Sequence, residues 1–285
     1  MPNGSIRLFA DDTSLTMSGN NLHNLVNSSK IQFEKLLDWC YSNKLCLNSD
    51  KTNYMIFHTK NKMIQEEFNC IEVGGMKLEK VSSVKYIGVC IDDMLKWNDH
   101  VNYVCKSLMK YFGIFNNIKH YVTSKIARQL YFSFVFSRIC YGIEVYGTCS
   151  LQLINKMQTI QNRLLKMLLN LDIRSSTNSL HHNLNILKIT DIYKVNIVNF
   201  TNKWLRDELP LCFKTYFQIH QPVYSTRSAS SLCEKRYRTV GGSLCIKLQG
   251  SKLVNNLNAS IQSLKGRKCL KKKYAKYIIS TYVDN

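Results

Sequence analysis

The sequence predicts an α+β fold: a small layer of strands around one helix over residues 1–93, followed by a chain that is mainly helical. Three observations predict it. Short alternating apolar runs, separated by polar or glycine turns, fill the first third. Apolar residues at helical spacing recur from about residue 98 onward. Charge divides at the same place: residues 1–93 carry 10 Lys/Arg against 11 Asp/Glu, residues 94–170 carry 10 against 2, and residues 171–285 carry 19 against 6. A near-neutral front and a strongly basic back predict a polyanion held by the back and presented to the front.

The elements follow in order. "SIRLFADDTSLTMSG" reads as strand, tight acidic turn, strand. From Asn21 to about Asn43, Leu22, Val26, Phe33, Leu36, Leu37 and Cys40 recur at helical spacing and give one long amphipathic helix. "LCLNSDKTNYMIFHT" returns to β character around a polar "NSDKT" turn. "NCIEVGGMKLEKV" places Gly-Gly between alternating runs, a hairpin signal. "SVKYIGVCIDD", rich in β-branched residues, reads as one further strand.

After residue 94 the period changes to helical. Asn98 or Asp99 can cap a helix with Val101, Val104, Leu108, Phe112 and Phe115 on one face. Thr123 or Ser124 can start a second through Ile126, Leu130 and Phe134. A third, from about Leu151 to Leu169, turns Ile154, Met157, Ile160, Leu164, Leu165 and Leu168 inward and leaves Lys156, Arg163 and Lys166 outside. Beyond Asp172, "ILKITDIYKVNIVNFTNKWL" reads as helix and "YSTRSASSLCEKRYRTVGGSLCIKLQG" as loop with short strands. The terminal "SLKGRKCLKKKYAKYIIS", with Lys271, Lys272 and Lys273, reads as a basic helix. The expected division is therefore residues 1–93, a helical bundle over 94–170, and a basic, mostly helical extension over 171–285.

Composition removes several classes of function. Hydrophobic residues make up 45% of the chain and proline only 3 positions, so the sequence specifies a folded protein rather than a disordered one. The longest apolar stretches are broken by charge, as Arg138 breaks "YFSFVFSRICYGI", and none reaches the length of a membrane span. "MPNGSIRLFADD" does not look like a signal peptide, so the expectation is an intracellular protein of the nucleus, the cytoplasm or both, with no membrane partner. The eleven cysteines contain no CxxC, and Cys40 and Cys46 are the closest pair; they read as reduced thiols rather than as a disulfide or zinc framework.

Asp11 and Asp12 are the chemically suggestive residues of the front. Adjacent aspartates in a turn suit magnesium, a hard ion commonly held by one or two carboxylates together with substrate phosphates. In nucleotidyl transfer two such ions, about 4 Å apart, activate an attacking 3′ hydroxyl and stabilise leaving pyrophosphate. A strand–turn–strand hairpin is the rigid platform such a site needs. By residue pattern alone a polar hairpin tip is the commoner reading of Asp11 and Asp12, and Lys51 could equally be a solvated turn lysine. Asp92 and Asp93 read as a turn leading into a helix, Trp97 and His100 as packing and capping residues, and "EVGGMK" as a hairpin rather than a phosphate loop.

In this order the segments resemble the reverse transcriptases of non-LTR (LINE-type) retrotransposons, particularly jockey-like ones. "LFADDTSL" is similar to their metal-binding palm hairpin, and "LLDWCYSNKLCLNSDKTNYMIF" to the palm segment that follows. "VKYIGVCIDDMLKWNDHV" resembles the primer-grip strand and its passage into the thumb. "LYFSFVFSRICYGIEVYG" and "INKMQTIQNRLLKMLL" resemble thumb helices, and "ILKITDIY", "YSTR" and "RTVGGSLCIKLQG" the tail of these elements. The resemblance spans nearly all 285 residues.

The resemblance implies a polymerase palm that ends in the first third, then a helical thumb and a C-terminal extension. Asp11 would be the principal metal ligand and Asp12 its less direct companion, with Phe9 and Ala10 lining the approach of the primer end or nucleotide. Lys51 matches a lysine thought to protonate departing pyrophosphate, a general-acid role worth ~10²- to 10⁴-fold in rate. Tyr86, Ile87 and Gly88 match the primer grip, and Lys156, Arg163, Lys166 and Lys271 to Lys273 would track the nucleic-acid backbone. Two magnesium ions, an RNA template, a DNA primer and dNTPs are the implied cofactors and partners. Only ten residues precede Asp11, and the family's fingers, a further palm aspartate and a glycine-rich segment lie upstream of such a hairpin. The expectation is a fragment of an RNA-directed DNA polymerase that does not polymerise alone. The alternatives are a non-catalytic basic nucleic-acid-binding module and a decayed retroelement remnant.

Overall fold

The structure, a computed structural model, describes residues 3–59, 64, 68–172, 174–220 and 231–282. It is a mixture of helices and small sheets, in keeping with an α+β class, and divides into two compact units, Met1–Leu95 and Lys96–Asn285. The "YSTR" segment, residues 224–227, lies outside the described residues.

The first unit begins with an antiparallel hairpin of β1 (Asn3–Phe9) and β2 (Asp12–Ser18), in a register that runs from Asn3↔Ser18 to Phe9↔Asp12. Helix α1 (Leu22–Ser42) follows, started by Asn21, whose side chain accepts from the Asn24 N–H. It packs against β2, while Val26 joins Phe68, Ile71 and Val73 in the core of this unit. The "NSDKT" turn is a single 3₁₀ turn, Ser49–Lys51, capped by the Asn48 side chain. Its β flanks are much shorter than the sequence predicts: only β3 (Asn53–Tyr54) is strand, pairing in parallel with β5. The Tyr54 hydroxyl donates to the Phe68 carbonyl and fixes the ring over the core. The glycine hairpin is as expected, β4 (Cys70–Val73) and β5 (Met76–Lys80) joined by Gly74 and Gly75, both at positive φ. A Cβ on Gly74 would lie 2.5 Å from Leu37 Cδ1, so α1 also requires glycine here.

"SVKYIGVCIDD" is not one strand. It folds back on itself as β6 (Ser83–Tyr86) and β7 (Val89–Asp92), joined by Ile87 and Gly88. Both turn residues have positive φ, 45° and 79°, which is the backbone of the two-residue turn that suits twisted antiparallel strands. Isoleucine is a costly residue in that conformation, and its presence hides the turn from a sequence reading.

The second unit opens with α2 (Asn98–Ile118). Neither Asn98 nor Asp99 caps it: Trp97, in the left-handed region and buried, is the boundary residue, and the helix begins at Asn98. Thr123 does cap α3 (Ser124–Leu130). A π-helical turn, Tyr131–Phe136, then leads into α4 (Ser137–Cys140), and the inward face differs from the predicted one. Ala127, Tyr131, Val135 and Ile139 are buried, whereas Ile126 and Phe134 are exposed. Strict four-residue spacing drifts around an α-helix, and the wider π turn takes up that drift.

After α5 (Ile143–Tyr146), helix α6 (Leu151–Leu168) packs along α2 with Met157, Ile160, Leu164, Leu165 and Leu168 buried. Short α7 (Thr177–Asn183) precedes α8 (Ile189–Leu205), which contacts α4, α5 and α6. Further on come α9 (Val240–Ser243), α10 (Ile246–Asn255), α11 (Ala259–Gln262) and α12 (Leu270–Ser280). Here the expected loop with short strands gives way to helix: the described part of that stretch holds one isolated bridge, Ile219↔Leu232, and then α9 and α10. Packing decides it, because α10 lies against α8 and buries Leu248 and Val254, which stabilises a segment of weak intrinsic helicity.

Candidate metal hairpin and basic helices

The β1–β2 turn is two residues long, Ala10 and Asp11, and Asp12 is the first residue of β2, directly opposite Phe9. Of the turn residues only Ala10 has positive φ, 50°, the sign pattern of a type II′ turn. The tip is fully open: Asp11 and Asp12 are exposed, as is Phe9, at 58%. Neither carboxylate is ion-paired with a cation among the described residues. Two uncommitted carboxylates at one rigid turn can accept a hard cation. Among the described residues no three His, Cys, Asp or Glu side chains converge to hold one.

The hairpin is tied to the β6–β7 hairpin. Ser14 Oγ, two residues along β2 from Asp12, lies 3.1 Å from the Tyr86 hydroxyl at the end of β6. A hydrogen bond thereby links the hairpin that carries Asp11 and Asp12 to the hairpin that turns at Ile87 and Gly88. Ser14 is silent in the sequence, since a serine in a polar strand carries no signal of a partner 72 residues away. Lys51 ends the 3₁₀ turn with an exposed side chain. Directly after β7, Asp93 lies 3.6 Å from His58, which gives this acid a local structural partner.

In the second unit Lys156 and Arg163 of α6 reach residues of α2. Lys156 Nζ donates to Asn102 Oδ1 at 2.7 Å, and the Arg163 guanidinium lies 5.3 Å from the centre of the Phe112 ring. Lys166, one turn further, is half-buried. On α12, Lys271, Lys272 and Lys273 are exposed, and Lys271 Nζ donates to Asn196 Oδ1 at 3.0 Å. The partners of Lys156 and Lys271 are neutral amides, so both charges remain available to a polyanion. Trp97 and His100 are packing residues: both are buried, and the His100 ring meets the Tyr146 ring edge-on at 4.5 Å.

A buried polar network joins α6, α7, α8 and the chain end, and sequence reading gave no hint of it. Gln161 donates to the Tyr131 hydroxyl at 2.7 Å and to the Leu187 carbonyl at 2.9 Å. His181 Nδ1 is 3.1 Å from the Ile186 carbonyl and Nε2 is 2.9 Å from the Asn162 side-chain amide. Burial pushes His181 down to about 4, partly opposed by its bond to Ile186. The Tyr282 hydroxyl donates to Asp191 Oδ2 at 2.7 Å, and burial, together with that acid, pushes the phenol upward. These groups are satisfied within the fold and serve its architecture.

No helix among the described residues is long and apolar enough to cross a membrane, and all eleven cysteines are free. The chain is similar to two curated proteins of Drosophila melanogaster. It is 26% identical over 181 residues to one named "Probable RNA-directed DNA polymerase from transposon BS", a match covering 62% of this chain and 20% of that protein. It is 20% identical over 188 residues to one named "Probable RNA-directed DNA polymerase from transposon X-element", covering 64% of this chain and 20% of that protein. The chain thus spans about a fifth of the length of the curated relatives it matches. No family model and no solved structure matches it.

Proposed function

We propose that this chain contributes the metal hairpin of the palm and the helical thumb to an RNA-directed DNA polymerase of the non-LTR retrotransposon type. One observation carries the reading: two adjacent, uncommitted carboxylates stand at a hairpin tip whose second strand is bonded through Ser14 to Tyr86. The similarity to transposon RNA-directed DNA polymerases supports it.

Asp11 and Asp12 fit magnesium, being hard oxygen donors on a tight turn with no ion-paired cation among the described residues. Magnesium held there would supply activation of the primer 3′ hydroxyl and neutralise charge on the pyrophosphate. Asp11 is the principal ligand and Asp12 its companion. Lys51 donates a proton to the leaving group. Phe9 and Ala10 border the primer end, Tyr86, Ile87 and Gly88 hold it, and Lys156, Arg163, Lys166 and Lys271 to Lys273 follow the template–primer backbone. Two carboxylates from a single turn are too few to position two ions and a triphosphate, so the chain alone binds primer–template without extending it.

The test uses Mn²⁺ as a paramagnetic probe. Its addition is expected to broaden the amide signals of Ala10 to Thr13 selectively, and Asp11→Asn is expected to abolish that. Uniform weak broadening across the acidic surface would sink the metal assignment. Template-dependent primer extension by the purified chain, absent in Asp11→Asn, would overturn the claim that it is inactive alone.

The charge distribution favours a second reading, a basic binding module without catalysis. It predicts salt-sensitive binding to primer–template, unchanged in Asp11→Asn, with no selective Mn²⁺ effect at the hairpin.

A further inference from the structure

We propose that a small cavity beside the first turn of α10 is a phosphate subsite for single-stranded nucleic acid, separate from the basic helices named above. The inference rests on the nucleic-acid-binding part of the proposed function. The cavity has a volume of about 50 Å³ and is bordered by Thr215, Tyr216, Lys235, Tyr237, Lys247 and Ser251 among others. About 10–15 Å³ of such space holds one water molecule, so the hollow has room for a small polar group such as a phosphoryl group.

Its lining selects charge as well as size. Lys235 and Lys247 are its ionic groups, and among the described residues no carboxylate lines it. Neither lysine is ion-paired among the described residues. Glu234, next to Lys235 in sequence, is instead bonded to the Asn255 amide at 2.9 Å. Lys247 Nζ is held 4.6 Å from the centre of the Tyr216 ring, which positions the charge against the cavity wall. Ser251 is buried and its hydroxyl donates to the Lys247 carbonyl at 3.0 Å, anchoring that turn of the helix. Two ammonium groups with no acid between them favour an oxyanion through charge-assisted hydrogen bonds.

The aromatic rings decide which oxyanion. Tyr237 is exposed, so a planar surface lies beside this positively charged hollow, whereas the Tyr216 face is taken by Lys247. That pairing suits a strand with unpaired bases, whose phosphate enters while a neighbouring base stacks on a ring. Arg236 and Arg238, exposed on either side of Tyr237, extend the positive field along such a strand.

The experiment is fluorescence anisotropy with dye-labelled oligothymidylate and oligouridylate at several salt concentrations, using the full chain. Lys235→Gln and Lys247→Gln are each expected to weaken binding about 3- to 10-fold and to reduce the salt slope by about one. Lys252→Gln, the same charge change near the other end of α10, is expected to have no such effect. Lys247→Arg, which keeps the charge, is expected to retain binding and guards against a folding defect in Lys247→Gln.

An equal loss in Lys252→Gln would overturn the proposal by showing a diffuse charge effect. So would equal binding of an uncharged peptide nucleic acid, or dependence on Lys247 only toward a phosphoserine peptide. If the oligonucleotides bind and neither cavity lysine matters, this inference fails and the proposed function stands. If the unaltered chain binds neither primer–template nor single strands, both fail.

Discussion

The hydroxyl groups of Ser14 and Tyr86 lie 3.1 Å apart and join two hairpins that are 72 residues distant in sequence. One hairpin carries Asp11 and Asp12 at its tip; the other turns at Ile87 and Gly88 immediately after Tyr86. A partly buried neutral bond of this kind contributes about 0.5–1.5 kcal/mol net. Ser14→Ala and Tyr86→Phe are therefore each expected to lower stability by about 1 kcal/mol, and the double variant by less than the sum. Denaturant unfolding of the four proteins in the cycle measures the coupling. Strict additivity would mean that the two hairpins are not joined through these hydroxyls.

Ala10 occupies the first turn position with φ at 50°. A residue with a Cβ pays about 1 kcal/mol there, part of which glycine returns through its more flexible unfolded chain. Ala10→Gly is expected to leave stability unchanged or raise it by about 0.5 kcal/mol. Ala10→Val, β-branched, is expected to lower it by more than 1 kcal/mol. Comparing the two unfolding midpoints tests whether the hairpin tip stores backbone strain beside the carboxylates.

Where local chemistry and tertiary packing agree, the sequence is transparent. Asn21 caps α1, Thr123 caps α3, and Gly74–Gly75 turns the β4–β5 hairpin, each by the residue type that the geometry demands. The apolar stripe of α6 is buried nearly as written. Legibility fails where a residue sits against its preference. Ile87 disguises a turn because β-branched residues rarely take positive φ, and Trp97 occupies a helix boundary where Asn98 looked the better cap. The π turn after Leu130 moves the buried face to Tyr131 and Val135, a shift that no fixed period reveals. At the candidate site, Asp11 and Asp12 announce themselves by type and adjacency. Ser14 does not, because its role depends on a partner that only the fold supplies.

Gly250 on α10 packs against Thr201 on α8. A Cβ there would lie 2.4 Å from Thr201 Oγ1 and 2.8–2.9 Å from atoms of the Phe217 ring. Thr201 and Phe217 are buried, so neither can swing away into solvent. Overpacking of this kind costs about 1–3 kcal/mol, more than the helix-propensity gain of about 1 kcal/mol from replacing glycine with alanine. Gly250→Ala is expected to be destabilising on balance in a thermal or denaturant melt. Adding Thr201→Ala should recover only part of the loss, since the Phe217 contact remains. Full recovery would show that the hydroxyl alone sets the helix separation.

His181 supplies the clearest pH dependence of the second unit. In the unfolded chain its imidazole titrates near 6.5, whereas in the fold burial holds it down to about 4. Between these values the unfolded state takes up a proton that the folded state refuses. Its contribution to stability is therefore complete above pH 6.5 and is lost progressively as the pH falls to about 4, at up to about 1.4 kcal/mol per pH unit. Below that the dependence due to this group vanishes, because both states are protonated. Unfolding midpoints measured from pH 7.5 to 4.5 should fall more steeply in the unaltered chain than in His181→Asn, which keeps a polar side chain within the network but cannot titrate. Parallel slopes for the two proteins would remove His181 as the source, leaving the carboxylates to account for the acid sensitivity.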